Sequence, residues 1–161
     1  MGNANNTELN PKDNFIFAAD VSGSMGTTDF PGGLSRIEFL KEKIKTFIGE
    51  AGKYDEDGID VVTFGHAVTT YESVTVDKAQ SIVGALRANE GATMTHLALA
   101  KAYELHKAYK ARGGTEQSVV FVATDGAPNC NLGAVCSAAE CQANIEGFSY
   151  DGQKCEGSFN C

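Results

Sequence analysis

The distribution of apolar and polar residues predicts strands at four places in the chain. Continuous apolar runs at residues 14–19, 58–65 and 118–124 have the length of strands buried on both faces. Such strands are typical of a parallel sheet covered by helices. Residues 68–75 instead alternate apolar and polar side chains. The turn before them is so short that we expect an antiparallel strand there, at the edge of the sheet.

Three further segments have helical periodicity. The first begins with the capping-box pair Ser35 and Glu38 and continues to a stop at Gly52. The other two are predicted over residues 77–88 and 95–111. The resulting order β-α-β-β-α-α-β predicts an α/β fold. We expect a Rossmann-like, doubly wound, mostly parallel sheet with one antiparallel edge strand and helices on both faces.

The two ends of the chain lack such patterns. Residues 1–13 are predicted to be a polar tail, residues 14–129 the domain, and residues 130–161 a Cys- and Gly-rich tail with one weak helical pattern at 135–144. The amino terminus does not have the order of a secretory signal, and no apolar run is long enough to cross a membrane. A cytoplasmic location, or a place in a particle, is therefore favoured over export.

Cysteine occurs only in the last part of the sequence. The five residues are Cys130, Cys136, Cys141, Cys155 and Cys161. None of their spacings gives C-x-x-C, so a structural zinc site is not expected. Two disulfides with one remaining thiol would suit an exported protein, and free thiols a cytosolic one; both states remain open.

The charge balance excludes some classes of partner. The 161 residues, enough for one domain, have a formal net charge of −8. Because no basic patch could offset that charge, nucleic acid and anionic membranes are not expected as main partners, and no membrane insertion is expected.

Three polar loops are expected to meet at one edge of the predicted sheet. Asp20, Ser22 and Ser24 follow the first strand, Gly91-Ala92-Thr93 precedes the third helix, and Thr124-Asp125-Gly126 follows the last strand. They supply two carboxylates and three hydroxyls, which are hard oxygen donors. The donor set predicts a site for Mg²⁺ or Mn²⁺, with water or a ligand completing the coordination shell.

These motifs, D-x-S-x-S, G-x-T and T-D-G in that order, resemble the metal-ion-dependent adhesion site (MIDAS) of the von Willebrand factor type A (vWA) family. The resemblance covers most of the chain. It implies that Ser22 and Ser24 bind the metal directly, that Thr93 binds directly or through water, and that Asp20 and Asp125 hold bound waters. It also implies a non-enzymatic protein-binding module whose partner supplies a carboxylate.

Four residues near these loops are candidates for a partner-binding rim: Met25, Asp29, Phe30 and His96. Packing on the first helix is the alternative for Met25 and Phe30. A structural role is the alternative for His96.

One departure from the family concerns the last predicted strand. The family has two further strand–helix units after it, and this sequence shows neither. The strand at 118–124 would then be an open edge, covered by the Cys-rich tail or by a partner, unless the chain is a fragment.

Two other functions remain as alternatives. The first is a structural component of a larger assembly such as a virion or fibre. The second is a Mg²⁺-dependent phosphoryl-transfer enzyme with Asp20 as nucleophile. The enzyme is less favoured because Ser22 stands where the D-x-D pattern of such enzymes has its second acid.

Overall fold

The computed structural model describes residues 13–55, 57–91 and 93–125, and the backbone of residues 149–150 and 155–156. The main elements are β1 (Asn14–Asp20), α1 (Arg36–Ala51), β2 (Ile59–Phe64), β3 (Val68–Val74), α2 (Val76–Ala85), α3 (Thr95–Ala111) and β4 (Ser118–Ala123). Two short 3-10 turns, Gly23–Gly26 and Pro31–Gly33, lie between β1 and α1. The weak helical pattern at 135–144 and the cysteine side chains lie outside the described residues.

The strands form a sheet in the order β3-β2-β1-β4. β1 pairs in parallel with both β2 and β4, whereas β3 pairs antiparallel with β2. The predicted fold class, including the antiparallel edge strand, is therefore confirmed. Asp20 is in register with Phe64, and Ala19 is in register with Ala123. These pairs put the residues after β1 and after β4 at one edge of the sheet.

Helices cover both faces of the sheet. Alternate side chains of β1 point to opposite faces, so each face of this strand packs against a different set of helices. Phe15, Phe17 and Ala19 belong to a core cluster with residues of α1 and α2. Ile16 and Ala18 belong to a second cluster with residues of α3. All seven residues of β1 are buried, as expected for a central strand of this fold class.

The start of α1 is fixed by the predicted capping box. The Ser35 hydroxyl accepts a hydrogen bond from the backbone N–H of Glu38, and the Glu38 carboxylate accepts one from the backbone N–H of Ser35 at 2.9 Å. These hydrogen bonds, chiefly the one from the backbone amide, lower the pKa of Glu38. The first helical residue, Arg36, is thereby held at a defined position.

α2 ends at Ala85, three residues before the predicted end. Leu86 has left the helical conformation, with ψ of 147°. Leu86 and Ala88 then pack against a small cluster formed by Val21, Met25 and Ile37. This packing explains the early end of the helix, because it draws the chain toward the loop that follows β1.

Two short strands occur near the carboxyl terminus, where the sequence pattern predicts none. β5 (Ser149–Tyr150) and β6 (Cys155–Glu156) pair antiparallel as a separate two-stranded sheet. In the described part of the chain, no helix has the length and apolar character needed to span a membrane.

Candidate functional site

Asp20, the last residue of β1, joins two of the three predicted loops. Its side chain is fully buried. One carboxylate oxygen, Oδ1, accepts a hydrogen bond from the backbone N–H of Ser22 at 2.8 Å, and Oδ2 accepts one from the Thr124 hydroxyl at 2.7 Å. The carboxylate therefore fixes the turn after β1 and connects it to the end of β4.

Ser22, Ser24 and Asp125 continue this hydrogen-bond network. The Ser24 hydroxyl donates to Asp125 Oδ1 at 3.1 Å, and the two serine Oγ atoms are 3.1 Å apart. Neighbouring oxygen ligands of octahedral Mg²⁺, each 2.0–2.1 Å from the metal, are about 2.9 Å apart. The spacing of the two hydroxyls therefore fits adjacent positions in such a coordination shell.

The loop that precedes α3 is held against the loop that follows β1 by backbone hydrogen bonds. Gly23 N–H donates to the Glu90 carbonyl at 2.7 Å, and Glu90 N–H donates to the Val21 carbonyl at 3.1 Å. Thr93 lies in the same loop, two residues before the start of α3, and is 7% exposed. The backbone contacts thus bring the loop that contains Thr93 beside the loop that contains the two serines.

Arg36 is a site residue that the sequence analysis missed. Its Nη1 donates to Asp125 Oδ2 at 2.7 Å, and its Nε and Nη2 donate to the carboxylate of Asp29. The hydrogen bond from Arg36 lowers the pKa of Asp29. In turn, the hydrogen bonds to the two carboxylates, of which the one to Asp29 has the larger effect, raise the pKa of Arg36 further above its usual value. No local pattern marks this residue, because Arg36 and Asp125 are 89 positions apart.

Asp29 and Phe30, two of the four predicted rim residues, lie at the surface beside this ion pair. Asp29 is exposed, and Phe30 is half-buried and stacks on Phe39 with ring centroids 4.3 Å apart. A groove of about 290 Å³ lies between α1 and the end of β4, and Phe30, Arg36 and Asp125 contribute to its lining. Both residues therefore border the candidate site, and Phe30 also packs on α1.

Met25 and His96, the other two predicted rim residues, have buried side chains. Met25 is 1% exposed because the 3-10 turn after β1 directs it into the cluster with Val21 and Ile37. His96, in the first turn of α3, is 7% exposed. Met25 also contributes to the lining of the groove between α1 and the end of β4.

The donor set depends on hydroxyl groups as well as carboxylates. Among the described residues, no group of three His, Cys, Asp or Glu side chains is placed to hold a metal ion. The candidate site has two such side chains, Asp20 and Asp125. Any cation held there would need the serine and threonine oxygens as ligands.

Comparison with known proteins identifies the family. A family model for the von Willebrand factor type A domain matches residues 15–127, more than half of the chain. The chain belongs to the von Willebrand factor type A family. The matched region contains the four strands of the main sheet, except for the first residue of β1, and the three polar loops.

A solved structure supports the assignment of the type A fold. The chain is similar to a pilus adhesin, SpaC from Lactobacillus rhamnosus GG, with a TM-score of 0.57 and 18% sequence identity. The similarity covers 95% of this chain and 19% of the adhesin, so the chain spans about a fifth of that protein's length. No match was found among curated proteins.

Proposed function

We propose that this type A domain is a non-enzymatic adhesion module that binds an acidic group of a protein partner through Mg²⁺ or Mn²⁺. The observation that carries the proposal is the hydrogen-bonded series Ser22–Ser24–Asp125, set beside the buried Asp20 at the carboxyl edge of the sheet. Open α/β sheets bind their ligands at this edge. The description of the structural neighbour as a pilus adhesin agrees with a role in adhesion.

Each site residue has a distinct proposed role. Ser22 and Ser24 would coordinate the cation through their hydroxyl oxygens, and Thr93 would do so directly or through water. Asp20 and Asp125 would orient waters and the serine hydroxyls. The bound cation would offer an open coordination position to a carboxylate. The two carboxylates of the site carry no more negative charge than a divalent cation carries positive charge. A third carboxylate, from the partner, would therefore not meet an excess of negative charge at the bound cation.

Peptide binding tests the proposal. Peptides containing Asp or Glu would be compared with counterparts containing Asn or Gln, in Mg²⁺ and in EDTA, on the wild type and on Ser22→Ala. We expect selective binding of acidic peptides that requires Mg²⁺ and is weakened in Ser22→Ala. Ser81→Ala, a change at an exposed serine of α2, is the matched control and should bind as the wild type does. Acidic-peptide binding that survives both EDTA and Ser22→Ala would contradict the proposal.

A second candidate function, a component of a larger assembly, is favoured by the edge formed by β4. Val120 and Val122 of this strand are 38% and 39% exposed. Among the described residues, β4 pairs only with β1. Native mass measurement across a concentration series would separate the two candidates, since an assembly component is expected to form defined multimers and a free module is not.

Phosphoryl transfer by Asp20 has no comparable support. A nucleophilic carboxylate needs an oxygen that a substrate can approach. Asp20 is fully buried, and each of its oxygens already accepts a hydrogen bond. We therefore propose no enzymatic activity for this domain.

A further inference from the structure

Arg36 places a permanent positive charge against one of the proposed site carboxylates. The capping box holds it at the first position of α1, and its side chain is 28% exposed. Its Nη1 donates to Asp125 Oδ2 at 2.7 Å. A guanidinium group stays protonated under all physiological conditions, so this charge cannot be removed by a change of pH.

Both oxygens of Asp125 are engaged in this arrangement. Oδ1 accepts from the Ser24 hydroxyl, and Oδ2 accepts from Arg36. The hydrogen bond from Ser24 leaves lone pairs of the serine oxygen available to a cation. Arg36, in contrast, neutralises the carboxylate charge that would attract the cation.

We propose that Arg36 is a built-in competitor of the cation, which neutralises Asp125 in the metal-free protein and lowers the affinity of the site for Mg²⁺. This inference rests on the proposed cation site. Its physical basis is Coulombic, because a unit positive charge beside a carboxylate of the site repels a divalent ion over the same short range. Arg36 thus sets how much free Mg²⁺ is needed to fill the site.

Asp29 moderates this competition. It accepts hydrogen bonds from Nε and Nη2 of Arg36, so one guanidinium is shared between two acids. Without the Asp29 carboxylate, the charge of Arg36 would act on Asp125 alone. Asp29→Asn should therefore weaken Mg²⁺ binding, whereas Arg36→Gln should strengthen it. General damage to the site would weaken binding in both variants.

Lys43 provides a matched control for the loss of charge. It lies on α1 about two turns after Arg36, and its Nζ is 5.1 Å from the centroid of the Phe39 ring. Lys43 contributes to the lining of the same groove as Arg36. Lys43→Gln removes one positive charge from that groove without removing the ion pair to Asp125.

Calorimetric titration with MgCl₂ at low ionic strength tests the inference. We expect roughly threefold to tenfold tighter binding in Arg36→Gln, about twofold to threefold weaker binding in Asp29→Asn, and a change below about twofold in Lys43→Gln. When Arg36→Gln is already present, adding Asp29→Asn should change the Mg²⁺ affinity less than Asp29→Asn does in the wild type, since Asp29 is expected to act through Arg36. The thermal midpoint in EDTA should fall in Arg36→Gln, and MgCl₂ should raise it more than in the wild type.

The outcomes separate this inference from the proposed function. Equal or weaker Mg²⁺ binding in Arg36→Gln, with normal binding in the wild type, would overturn the role of Arg36 and leave the cation site intact. If Arg36→Gln does not fold, an unchanged affinity in Asp29→Asn would overturn it. Absence of Mg²⁺ binding from both the wild type and Arg36→Gln would refute the cation site and, with it, this inference.

Discussion

Aspartates occur at both ends of the sheet, but their surroundings differ. At the carboxyl end, Asp20 and Asp125 accept hydrogen bonds from a backbone amide, two hydroxyls and the guanidinium of Arg36. At the amino end, Asp55 accepts a hydrogen bond from the backbone N–H of Phe15 at 3.2 Å. Burial, and next the neighbouring carboxyl group of Asp57, raise the pKa of Asp55 to about 7.

This difference shows that the presence of several acidic side chains at a sheet edge does not by itself indicate a cation site. At the carboxyl end, donors from two loops and one helix hold two carboxylates in fixed positions. At the amino end, two neighbouring carboxyl groups interact with each other, and Asp55 retains a proton up to nearly neutral pH. In the part of the chain that the structure describes, the carboxyl end combines fixed carboxylates with two hydroxyl oxygens 3.1 Å apart.

The largest expected effect is on stability at the carboxyl end. Asp20→Ala should lower the free energy of unfolding by about 3 kcal/mol, because it leaves a buried backbone amide and the Thr124 hydroxyl without their acceptor. Asp55→Ala should change it by less than about 1 kcal/mol at pH 7, since the lost hydrogen bond is offset by removal of a poorly solvated carboxyl group. Urea unfolding of both variants checks this difference, and equal losses would contradict it.

The second effect concerns the backbone at the amino end. Gly58 has φ of +98°, and a Cβ there would lie 2.7 Å from the backbone carbon of Ser73. Gly58→Ala should therefore lower the free energy of unfolding by about 2 kcal/mol.

A glycine inside α1 provides the control for this substitution. Gly49→Ala places its Cβ in ordinary contact with Gln80, at 3.4 Å, and should stabilise the protein by about 0.5–1 kcal/mol. Thermal unfolding of the two variants should show shifts of opposite sign. A stabilising Gly58→Ala would show that the approach of β2 to β3 is less close than described.

The third effect is a dependence of stability on pH. The pKa of Asp55 is about 7 in the folded protein and near 3.9 in an unfolded chain, so the folded state retains the proton between these values. The contribution of Asp55 to stability is therefore fully present below about pH 4 and is lost as the pH rises to about 7. Because the side chain is half-buried, we expect a change of about 1–2 kcal/mol over this range.

Asp55→Asn tests the assignment of this pH dependence. Chemical unfolding at pH 4.5 and pH 7.5 should show a smaller difference in the variant than in the wild type. A slope that does not change in Asp55→Asn would mean that other carboxyl groups are responsible. One such group is Asp60, whose pKa is raised by burial.

Local patterns predicted the fold more fully than the candidate site. The four strands, the edge position of β3 and the start of α1 follow from signals within a few residues, such as the Ser35–Glu38 pair. The early end of α2 does not, because Leu86 leaves the helix to pack against a distant cluster. Tertiary packing there outweighs the helical periodicity of the sequence.

The same distinction applies to the site residues. The position of Asp20, Ser22 and Ser24 at the end of a buried strand was predictable from the chain itself. The pairing of Arg36 with Asp125 was not, since it depends on how α1 docks beside β4. The burial of Met25 also depends on packing between separate elements, although packing on the first helix was one of its two predicted alternatives.

The most direct test of the central claim, that hydroxyl oxygens at the carboxyl edge hold a divalent cation, is calorimetric titration of the protein with MgCl₂. The wild type and Ser81→Ala should bind Mg²⁺ with the same affinity. Ser22→Ala should bind it about fivefold more weakly, corresponding to the loss of about 1 kcal/mol from one oxygen ligand. Binding by Ser22→Ala with the wild-type affinity would contradict the account.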